Sequence, residues 1–213
     1  MKALIIANGT LPPRRLVRDL AKSADVVVCA DGGANHARRM RVTPDVIVGD
    51  LDSVTSSIKK YFHRVPLIFV DDQDSTDLEK ALEFCVQRRF KSVDVVGAIG
   101  DRLDHTTGSL GCFKKYGEKI ELRLFDTVAA ISLIRKKAQL LMRIGEKFSL
   151  IPLERCEGVT TKNLKYALRN EILELGVREG ISNEALARDV SINVKRGTLL
   201  LYRFLKMEKR VES

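Results

Sequence analysis

The stretch VIVGDLDS, at residues 46–53, joins a β-branched apolar run directly to two aspartates. Two further stretches have the same order: VCADGGAN at residues 28–35 and VDDQDSTD at residues 70–77. The apolar runs predict buried parallel strands, which places the carboxylates at the carboxyl ends of those strands. Ligands of open α/β sheets bind at that edge. Carboxylates beside exposed glycine N–H groups favour Mg²⁺ and a polyphosphate, so the sequence predicts phosphate chemistry.

Strand and helix patterns alternate up to residue 126, which predicts a mostly parallel sheet flanked by helices. We assign residues 1–126 to this α/β domain. The predicted strands are residues 3–7, 25–30, 46–49, 67–70, 92–96 and 120–125, and the predicted helices are residues 13–22, 34–41, 54–62, 77–89 and 105–116. The helix that begins at Asp77 is the clearest, because its apolar residues recur at helical spacing.

The pattern changes after residue 126, where short apolar runs are separated by turn residues and no long helix is indicated. The predicted strands are residues 128–134, 140–144, 147–151, 156–161, 190–194 and 199–204. A short helical turn is expected near residues 184–187. We therefore expect a second, smaller all-β sandwich domain at residues 127–213.

The chain is basic, with 37 lysines and arginines against 28 aspartates and glutamates, a formal net charge of +9. Such an excess raises the possibility of nucleic-acid binding. The basic residues fall on predicted helix faces and near the C-terminus, at Lys206, Lys209 and Arg210. A solvated basic exterior that attracts an anionic nucleotide explains them, and no RNA-binding aromatic motif accompanies them. We expect no nucleic-acid partner.

No apolar run approaches the ~18 residues of a transmembrane helix. The apolar part of residues 1–9 is too short for a signal peptide and predicts a first strand. Cys29, Cys85, Cys112 and Cys156 lie far apart without a CxxC pair, which favours buried free thiols in a reducing compartment. We therefore expect a cytoplasmic protein with no membrane partner.

The two aspartates of VIVGDLDS, Asp50 and Asp52, alternate with a leucine. In an extended strand end this spacing puts both carboxylates on one side and turns the leucine inward. Mg²⁺ prefers one or two carboxylates together with phosphate and water oxygens. With Asp31 and Asp77 at neighbouring strand ends, the pair favours a metal site. The alternative is a turn in which Asp52 merely helps Ser53 to cap the following helix.

The start of the Asp77 helix allows two interpretations. An acidic residue there complements the helix dipole, and Thr76 and Glu79 have the spacing of a capping box. Lys80, one turn later, could reach a phosphate as a point charge or be an exposed helix lysine. The further acids at residues 71–74 either belong to the site or are solvated loop residues.

Three glycine-bearing turns could cradle phosphates: NGT at residues 8–10, DGG at residues 31–33, and GAIGDRLDH at residues 97–105. None matches a P-loop or a dinucleotide-binding fingerprint. The third turn adds an arginine suited to bidentate phosphate contact and an Asp-His pair at a helix start. His105 could be a general base, although a capping or packing role is favoured. His36 and His63 are expected at the surface.

Seven segments together resemble the thiamine pyrophosphokinase family, in the family's order and over nearly the whole chain. The segments are ADGGAN (30–35), PDVIVGDLDS (44–53), DQDSTDLEKAL (72–82), the 97–105 turn, SLIPL (149–153), GVTTKNLKYAL (158–168) and GISNE (180–184). By composition alone, the hydroxyl-rich segments 158–168 and 180–184 are simply hairpin connections. The resemblance implies an α/β nucleotide domain, a C-terminal β-sandwich and a homodimer with active sites at the subunit interface.

The resemblance also implies an activity. Members of that family transfer the pyrophosphoryl group of ATP to the hydroxyl of thiamine, which gives thiamine diphosphate and AMP. It implies Mg²⁺ as the cofactor, with ATP as co-substrate and thiamine as substrate. A metal-and-arginine site without a nucleophile suits this chemistry, because phosphoryl-type transfer depends on positioning and charge neutralisation.

Individual roles follow from the matched segments. The implied metal ligands are Asp50, Asp52 and Asp77. The implied catalytic set is Asp31, Asp50, Asp52, Asp77, Arg102 and Asp104. The implied ATP contacts are Asn8, Gly9, Gly32, Gly33, Asn35, Lys80, Gly97, Arg102, Asp104 and His105. The implied thiamine contacts are Gln73, Thr160, Thr161, Tyr166, Ser182 and Asn183.

The chain departs from the family pattern at three positions. Asn163 stands where a glycine is usual, Asp101 replaces the second glycine of a Gly-Gly-Arg pattern, and Ser109 occupies a position that is often asparagine. These departures concern ligand geometry rather than the reaction. Two other functions stay open at this point: a pyrophosphokinase for another hydroxymethyl substrate, such as a pterin, and a non-catalytic nucleotide- or RNA-binding module.

Overall fold

The structure is a computed structural model that describes residues 1–100 and 102–205. Asp101 and the basic residues Lys206, Lys209 and Arg210 lie outside the described residues. The chain forms two compact units, Met1–Thr127 and a second that begins at Val128. No helix in the described part of the chain is long and apolar enough to cross a membrane.

The first unit is an α/β unit, as predicted. Its strands are β1 Lys2–Ile6, β2 Val26–Ala30, β3 Val46–Gly49, β4 Leu67–Phe69, β5 Ser92–Val96 and β6 Glu121–Phe125. Its helices are α1 Arg14–Ser23, α2 Gly33–Met40, α3 Ser56–Tyr61, α4 Asp77–Gln87 and α5 Leu103–Tyr116. The strands lie in the order β6-β5-β1-β2-β3-β4, and every neighbouring pair is parallel.

The strand order reverses beside β1. The chain builds β1 to β4 in one direction, and β5 then returns to the other side of β1. Leu4, Ile5 and Ile6 of β1 are fully buried, because the central strand has covered faces on both sides. A reversal of strand order leaves a crevice between the loops that follow the two diverging strands, and ligands of open α/β sheets bind in it. The topology therefore places any ligand at the loops after β1, β2, β3 and β5.

Of the two helix caps predicted from the sequence, the one at α4 is correct and the one at α3 is not. At α4 the predicted capping box is confirmed: Thr76 Oγ1 accepts from Glu79 N at 3.3 Å, and Thr76 N donates to Glu79 Oε2 at 2.9 Å. At α3 the prediction of Ser53 as the cap is wrong. Thr55 caps this helix by accepting from Ile58 N, because the chain first makes a bend at Leu51, whose φ is +63°. That bend also means that the two aspartates do not lie on a plain extended strand end.

The α4 cap yields a pH-dependent prediction. Burial opposes ionisation of Glu79, but the bonds to Lys115 (2.7 Å) and to Thr76 outweigh it and lower its pKa below the ordinary 4.5. We expect Glu79→Gln to reduce the free energy of unfolding at pH 7 by about 1 kcal/mol. A lowered pKa stabilises the fold above pH 4.5, and this stabilisation is lost as the pH falls through the folded-state pKa. The difference in free energy of unfolding between variant and parent should therefore vanish at acidic pH.

Chemical denaturation at pH 7, 5, 4 and 3 measures this effect. Glu83→Gln is the matched control, since Glu83 lies on the same helix and, among the described residues, accepts only from the side chain of Gln87. If the free energy of unfolding of Glu79→Gln differed from that of the parent by the same amount at every pH, ionisation of Glu79 would not be the source of the stabilisation.

The second unit consists of two antiparallel sheets. Its strands are β7 Ala129–Ile134, β8 Lys137–Leu141, β9 Lys147–Pro152, β10 Cys156–Lys162, β11 Glu171–Leu173, β12 Gly180–Glu184, β13 Asp189–Asn193 and β14 Leu199–Phe204. The sheet orders are β12-β9-β14-β7 and β11-β10-β13-β8. One core joins them, with Phe148 and Leu201 from the first sheet and Val159 and Ile192 from the second. The predicted sandwich is confirmed.

Several details of this unit differ from the sequence prediction. The strand expected at residues 140–144 lies at Lys137–Leu141, because pairing of Ala138 with Ile192 sets its register. The strand predicted at residues 156–161 is β10, whereas the segment at residues 180–184, expected to be a hairpin connection, forms β12, and β11 was not predicted. The helical turn expected near residues 184–187 is wrong, since Glu184 ends β12 and Ala185 bridges to Leu164.

All four cysteines are buried and free, as predicted. Burial raises the pKa of Cys85 and of Cys112 to about 12, which keeps these thiols protonated at neutral pH.

Candidate active site

The loops after β1, β3, β4 and β5 line one cleft of about 920 Å³ in the first unit. The cleft opens at the carboxyl edge of the sheet, beside the reversal in strand order. The predicted site residues that line it are Asn8, Gly9, Asp50, Gln73, Asp77, Lys80, Gly97, Arg102 and His105. The fold therefore brings together segments that are up to 97 positions apart in the sequence (residues 8 to 105).

Three carboxylates form the acidic centre. One oxygen from each of Asp31, Asp50 and Asp52 lies within 4.8 Å of the other two. Asp31 follows β2 directly, and its N–H donates to Val48 O at 2.8 Å, which ties it to β3. Gly49 permits this approach, because a Cβ there would lie 2.8 Å from the Asp31 Cβ. Such a group of oxygen ligands suits a hard divalent cation.

Asp31 is almost fully buried, with 1% of its surface exposed. Its Oδ2 accepts from Ser53 N at 3.2 Å, whereas its Oδ1 has no hydrogen-bond partner among the described residues. Burial is the main cause of a raised pKa at Asp31, and the charge of Asp50 adds to it. A buried carboxylate oxygen without a partner is costly, so this atom is suited to a ligand that the described residues do not supply.

The ammonium group of Lys80 lies between the carboxylates of Asp50 and Asp77. Its Nζ is 2.9 Å from Asp50 Oδ2 and 3.3 Å from Asp77 Oδ1. Only 5% of Lys80 is exposed, so the exposed-lysine interpretation is wrong. Burial disfavours its charge, but the two carboxylates raise its pKa, and the bond from Lys80 lowers the pKa of Asp50. Burial, together with the nearby charge of Asp31, raises the pKa of Asp77 despite this contact.

The loops after β1 and β5 are held against each other by backbone bonds. Gly9 N donates to Gly97 O at 2.6 Å, and Thr10 N donates to Ile99 O at 2.9 Å. A Cβ at position 9 would lie 2.6 Å from Gly97 O, and Gly97 itself has a φ of +72°, which favours glycine. Glycine is thus required at positions 9 and 97, both of which line the cleft, because the two loops approach each other closely there.

The loop after β2 joins the same arrangement. A Cβ at Gly33 would lie 1.9 Å from Ile6 O, so α2 can begin against β1 only with glycine there. Asn35 Nδ2 donates to Gly32 O at 3.0 Å and to Ser53 O at 3.1 Å, which links the β2 and β3 loops. Asn35 therefore positions two loops, and its predicted contact with the nucleotide stays a prediction.

Arg102 and Asp104 form a bidentate pair at the edge of the cleft. The distances are 2.5 Å from Nη2 to Oδ2 and 3.2 Å from Nε to Oδ1. The bond from Arg102, with a second from His105 N, lowers the pKa of Asp104 to about 2. Both side chains are largely exposed, so the guanidinium is accessible to a phosphate.

The acidic segment before α4 is a hydrogen-bonded surface loop. Asp72 accepts from Asp74 N at 3.0 Å and from Ser75 Oγ at 2.6 Å, and these bonds lower its pKa. Asp71, Asp72, Gln73 and Asp74 are all exposed. The solvated-loop interpretation explains these acids, while Gln73 and Asp72 also line the cleft.

His36 was expected at the surface, and that expectation is wrong. It is 9% exposed and lines the cleft, where Arg39 hydrogen-bonds its Nδ1. Burial lowers its pKa, so the ring is neutral at pH 7. Helical periodicity was the missed signal, since Gly33 and Ala37 on the same face of α2 are also buried.

The predicted thiamine contacts of the second unit have mixed environments. Thr161 and Asn183 are buried, and both bond to the loop at residues 163–168. Thr161 Oγ1 accepts from Leu168 N at 2.9 Å, and Asn183 Nδ2 donates to Tyr166 O at 2.8 Å. Thr160 Oγ1 similarly accepts from Asn170 N at 3.1 Å. Tyr166 is 60% exposed, and Ser182 is also exposed. Contact of any of these with a substrate stays a prediction.

Lys80 leads to a prediction for the cleft. We expect Lys80→Met to lower turnover about tenfold to a hundredfold, because two carboxylates lose their buried counter-charge and a phosphate loses a point charge. Steady-state kinetics with saturating substrates measures the change. Lys22→Met is the control, since Lys22 is exposed near the end of α1 and is not a lining residue of the cleft. Equal turnover in both variants would exclude Lys80 from the site.

A parallel α/β unit with an acidic, glycine-lined cleft at its carboxyl edge is the architecture of a nucleotide-dependent phosphotransferase. Two family models match the chain: "Thiamin pyrophosphokinase, catalytic domain" at residues 17–124 and "Thiamin pyrophosphokinase, vitamin B1 binding domain" at residues 133–199. The chain belongs to the thiamin pyrophosphokinase family.

Individual relatives agree with this assignment. Thiamine pyrophosphokinase 1 of Oryza sativa subsp. japonica is 31% identical over 85% of this chain and 79% of its own length. Thiamine pyrophosphokinase of Bacillus subtilis is 26% identical over 93% of this chain and 96% of its own. The crystal structure of the Bacillus subtilis enzyme matches the fold with a TM-score of 0.84 at 23% identity, covering 97% of this chain and all of that chain. The Candida albicans enzyme matches with a TM-score of 0.87 at 19% identity, covering 96% and 89%.

Proposed function

We propose that this protein is an enzyme that transfers the pyrophosphoryl group of ATP to the hydroxyl of thiamine, with thiamine diphosphate and AMP as products. The observation that carries the proposal is the grouping of Asp31 and Asp52 with Asp50, a residue that lines the glycine-bearing cleft, in a chain that belongs to this family. Residues 1–126 would bind the nucleotide, and residues 127–213 would bind thiamine and mediate dimerisation.

Mg²⁺ fits the acidic centre, because the donor set is carboxylate oxygen and the buried Asp31 Oδ1 has no other described partner. Asp50 and Asp52 would hold the ion. Asp31 lies beside this pair, although the sequence did not name it as a metal ligand. Asp77 is not part of that group and contacts Lys80 instead, so its role as a ligand stays a prediction. A bound Mg²⁺ would neutralise phosphate charge and orient the polyphosphate.

The remaining residues of the cleft would position ATP. Lys80 and Arg102 supply the positive charges, Lys80 as a buried point charge and Arg102 as a planar guanidinium suited to bidentate contact. The loops at Gly9 and Gly97, which line the cleft, would lie beside the polyphosphate. Positioning and charge neutralisation are the main requirements of phosphoryl-type transfer, so no nucleophilic side chain is needed.

Thiamine carries a permanent positive charge on its thiazolium ring. The aromatic ring of Tyr166, which is 60% exposed, would attract this cation. Gln73, exposed in the loop before α4, would hydrogen-bond the aminopyrimidine. These contacts rest on the family resemblance of the DQDSTDLEKAL and GVTTKNLKYAL segments.

Incubation with ATP, Mg²⁺ and thiamine, followed by separation of AMP from ADP, tests the proposal. AMP and thiamine diphosphate should form in equal amounts. ADP as the product would overturn pyrophosphoryl transfer and indicate an ordinary kinase. A parallel assay with a hydroxymethyl pterin separates the nearest alternative, and salt-sensitive RNA binding without AMP formation would favour a binding module.

We further propose that the enzyme is a homodimer with active sites at the subunit interface, in a reducing compartment such as the cytoplasm. Support for an interface comes from large apolar side chains that the second unit exposes, among them Leu175 (70%), Val177 (76%) and Ile181 (63%). The four buried free thiols agree with a reducing compartment. Sedimentation velocity tests the assembly, and a single monomeric species at micromolar concentration would overturn it.

A further inference from the structure

A second cleft, of about 430 Å³, lies within the β-sandwich and contains none of the motifs discussed above. Its walls come from the segment at residues 141–146 together with Arg188 and Arg203. Three arginines and one glutamate line it, which gives these side chains a formal charge of +2. The cleft is thus both concave and basic, although no family segment points to it.

Glu146, the one acid among the described residues that line this cleft, is already engaged. Glu146 Oε1 lies 2.6 Å from Arg203 Nε, and Glu146 Oε2 accepts from Arg143 N at 3.0 Å. Arg203 is also fixed by a bond from its Nη2 to Leu141 O at 2.8 Å. Burial opposes ionisation of Glu146, but these bonds outweigh it and lower its pKa. Glu146 therefore stays ionised at neutral pH and neutralises Arg203.

Two arginines remain available to a ligand. Arg143 Nε is 3.9 Å from Glu146 Oε2, the limit of an ion pair, and its side chain is 66% exposed. Arg188 is exposed and has no ion pair with any residue in the described part of the chain. A guanidinium offers paired donors that match the oxygens of a phosphate or a carboxylate.

The same cleft has an apolar wall. Leu141 and Ile144 leave 74% and 71% of their surfaces exposed beside the arginines. Large aliphatic side chains at the mouth of a concave site gain from contact with an apolar ligand surface. Small-molecule sites typically combine such walls with a few polar groups that fix orientation.

We propose that this cleft binds a small organic anion, in which a phosphate or carboxylate is attached to an apolar body. The anionic group contacts Arg143 and Arg188, and the apolar body covers Leu141 and Ile144. This inference does not depend on the proposed reaction, because none of its residues belongs to the candidate active site.

Calorimetric titration of the full chain with 1-naphthyl phosphate tests the proposal. Binding should weaken about a hundredfold in the Arg143→Gln/Arg188→Gln double variant, at about tenfold for each lost charged contact. The matched control is Lys162→Gln/Arg169→Gln, which removes the same charge from exposed positions outside the cleft. Affinity should be unchanged in that control. An equal loss in both double variants, or no loss in either, would overturn the site.

A second comparison tests the apolar half. Leu141→Ser should weaken the binding of 1-naphthyl phosphate. The binding of inorganic phosphate, which is weaker in the parent chain, should stay unchanged. Equal affinity of the parent chain for the two ligands would overturn the role of the apolar wall. Thermal unfolding of each variant checks that the exposed substitutions leave the fold intact.

Discussion

Asp52→Asn is expected to lower turnover by at least about a hundredfold while the fold remains intact. The substitution removes one carboxylate from the group that Asp52 forms with Asp31 and Asp50, and an amide is a neutral and weaker ligand for a hard cation. The side chain of Asp52 is exposed and its Oδ1 accepts from Ser53 Oγ at 2.9 Å, so little folding energy depends on it. Steady-state rates of AMP formation, measured over a range of Mg²⁺ concentrations, provide the comparison.

The matched control for this experiment is Asp74→Asn. Asp74 is also an exposed aspartate, in the loop before α4, and it lies outside the three-carboxylate group. We expect the turnover and the Mg²⁺ requirement of the Asp74→Asn variant to match those of the parent. Near-normal turnover of Asp52→Asn would remove Asp52 from the metal site, whereas similar losses in both variants would indicate a general effect of acidic charge.

Asp94→Asn is expected to reduce the free energy of unfolding by about 3 kcal/mol. Asp94 lies in the middle of β5 and is 1% exposed. Its two oxygens accept from Arg123 Nε at 2.7 Å and Nη2 at 2.8 Å, and Lys2 Nζ lies 2.8 Å from Oδ2. The asparagine would leave two cations beside a buried strand without a counter-charge. Urea denaturation of the parent and the variant measures the difference.

Two comparisons separate this buried network from ordinary surface charge. Asp19→Asn removes an exposed ion pair in which Arg15 Nε lies 3.9 Å from Asp19 Oδ2. This substitution should reduce the free energy of unfolding by less than about 0.5 kcal/mol. The double variant Asp94→Leu/Arg123→Met should recover much of the lost stability, because it removes both the buried carboxylate and its main partner. An Asp94→Asn variant as stable as Asp19→Asn would show that the network contributes nothing measurable.

Much of this fold was predictable because local patterns and tertiary structure agree. β3 and β5 lie at the predicted residues, and the α4 helix begins at the predicted Asp77 with the predicted capping box. Strands buried on both faces need continuous apolar runs, and such runs are visible in the sequence without knowledge of their neighbours. The second unit was less predictable, since β11 has only three residues and the polar β12 is held by pairing with β9, about 30 residues earlier in the chain.

The candidate site was predictable in its location but not in its contacts. Carboxylates after apolar runs indicate the carboxyl edge of a parallel sheet, and the family segments named the same residues. Spacing along the chain could not show that Lys80 is buried between Asp50 and Asp77. Helical spacing in α2 could have indicated that His36 is buried, but not that it lines the cleft, because both that fact and the position of Lys80 depend on how α2 and α4 pack against the sheet.

The sequence by itself determined the class of fold, the order of the two units, and the family, since apolar periodicity and motif order are properties of the linear chain. Only the tertiary structure decided that Asp31, rather than Asp77, groups with Asp50 and Asp52. The reason is physical: β2 and β3 are neighbours in the sheet, and Gly49 lets the backbone at Asp31 approach β3 closely. Asp77, on the first turn of α4, is instead held by the ammonium of Lys80.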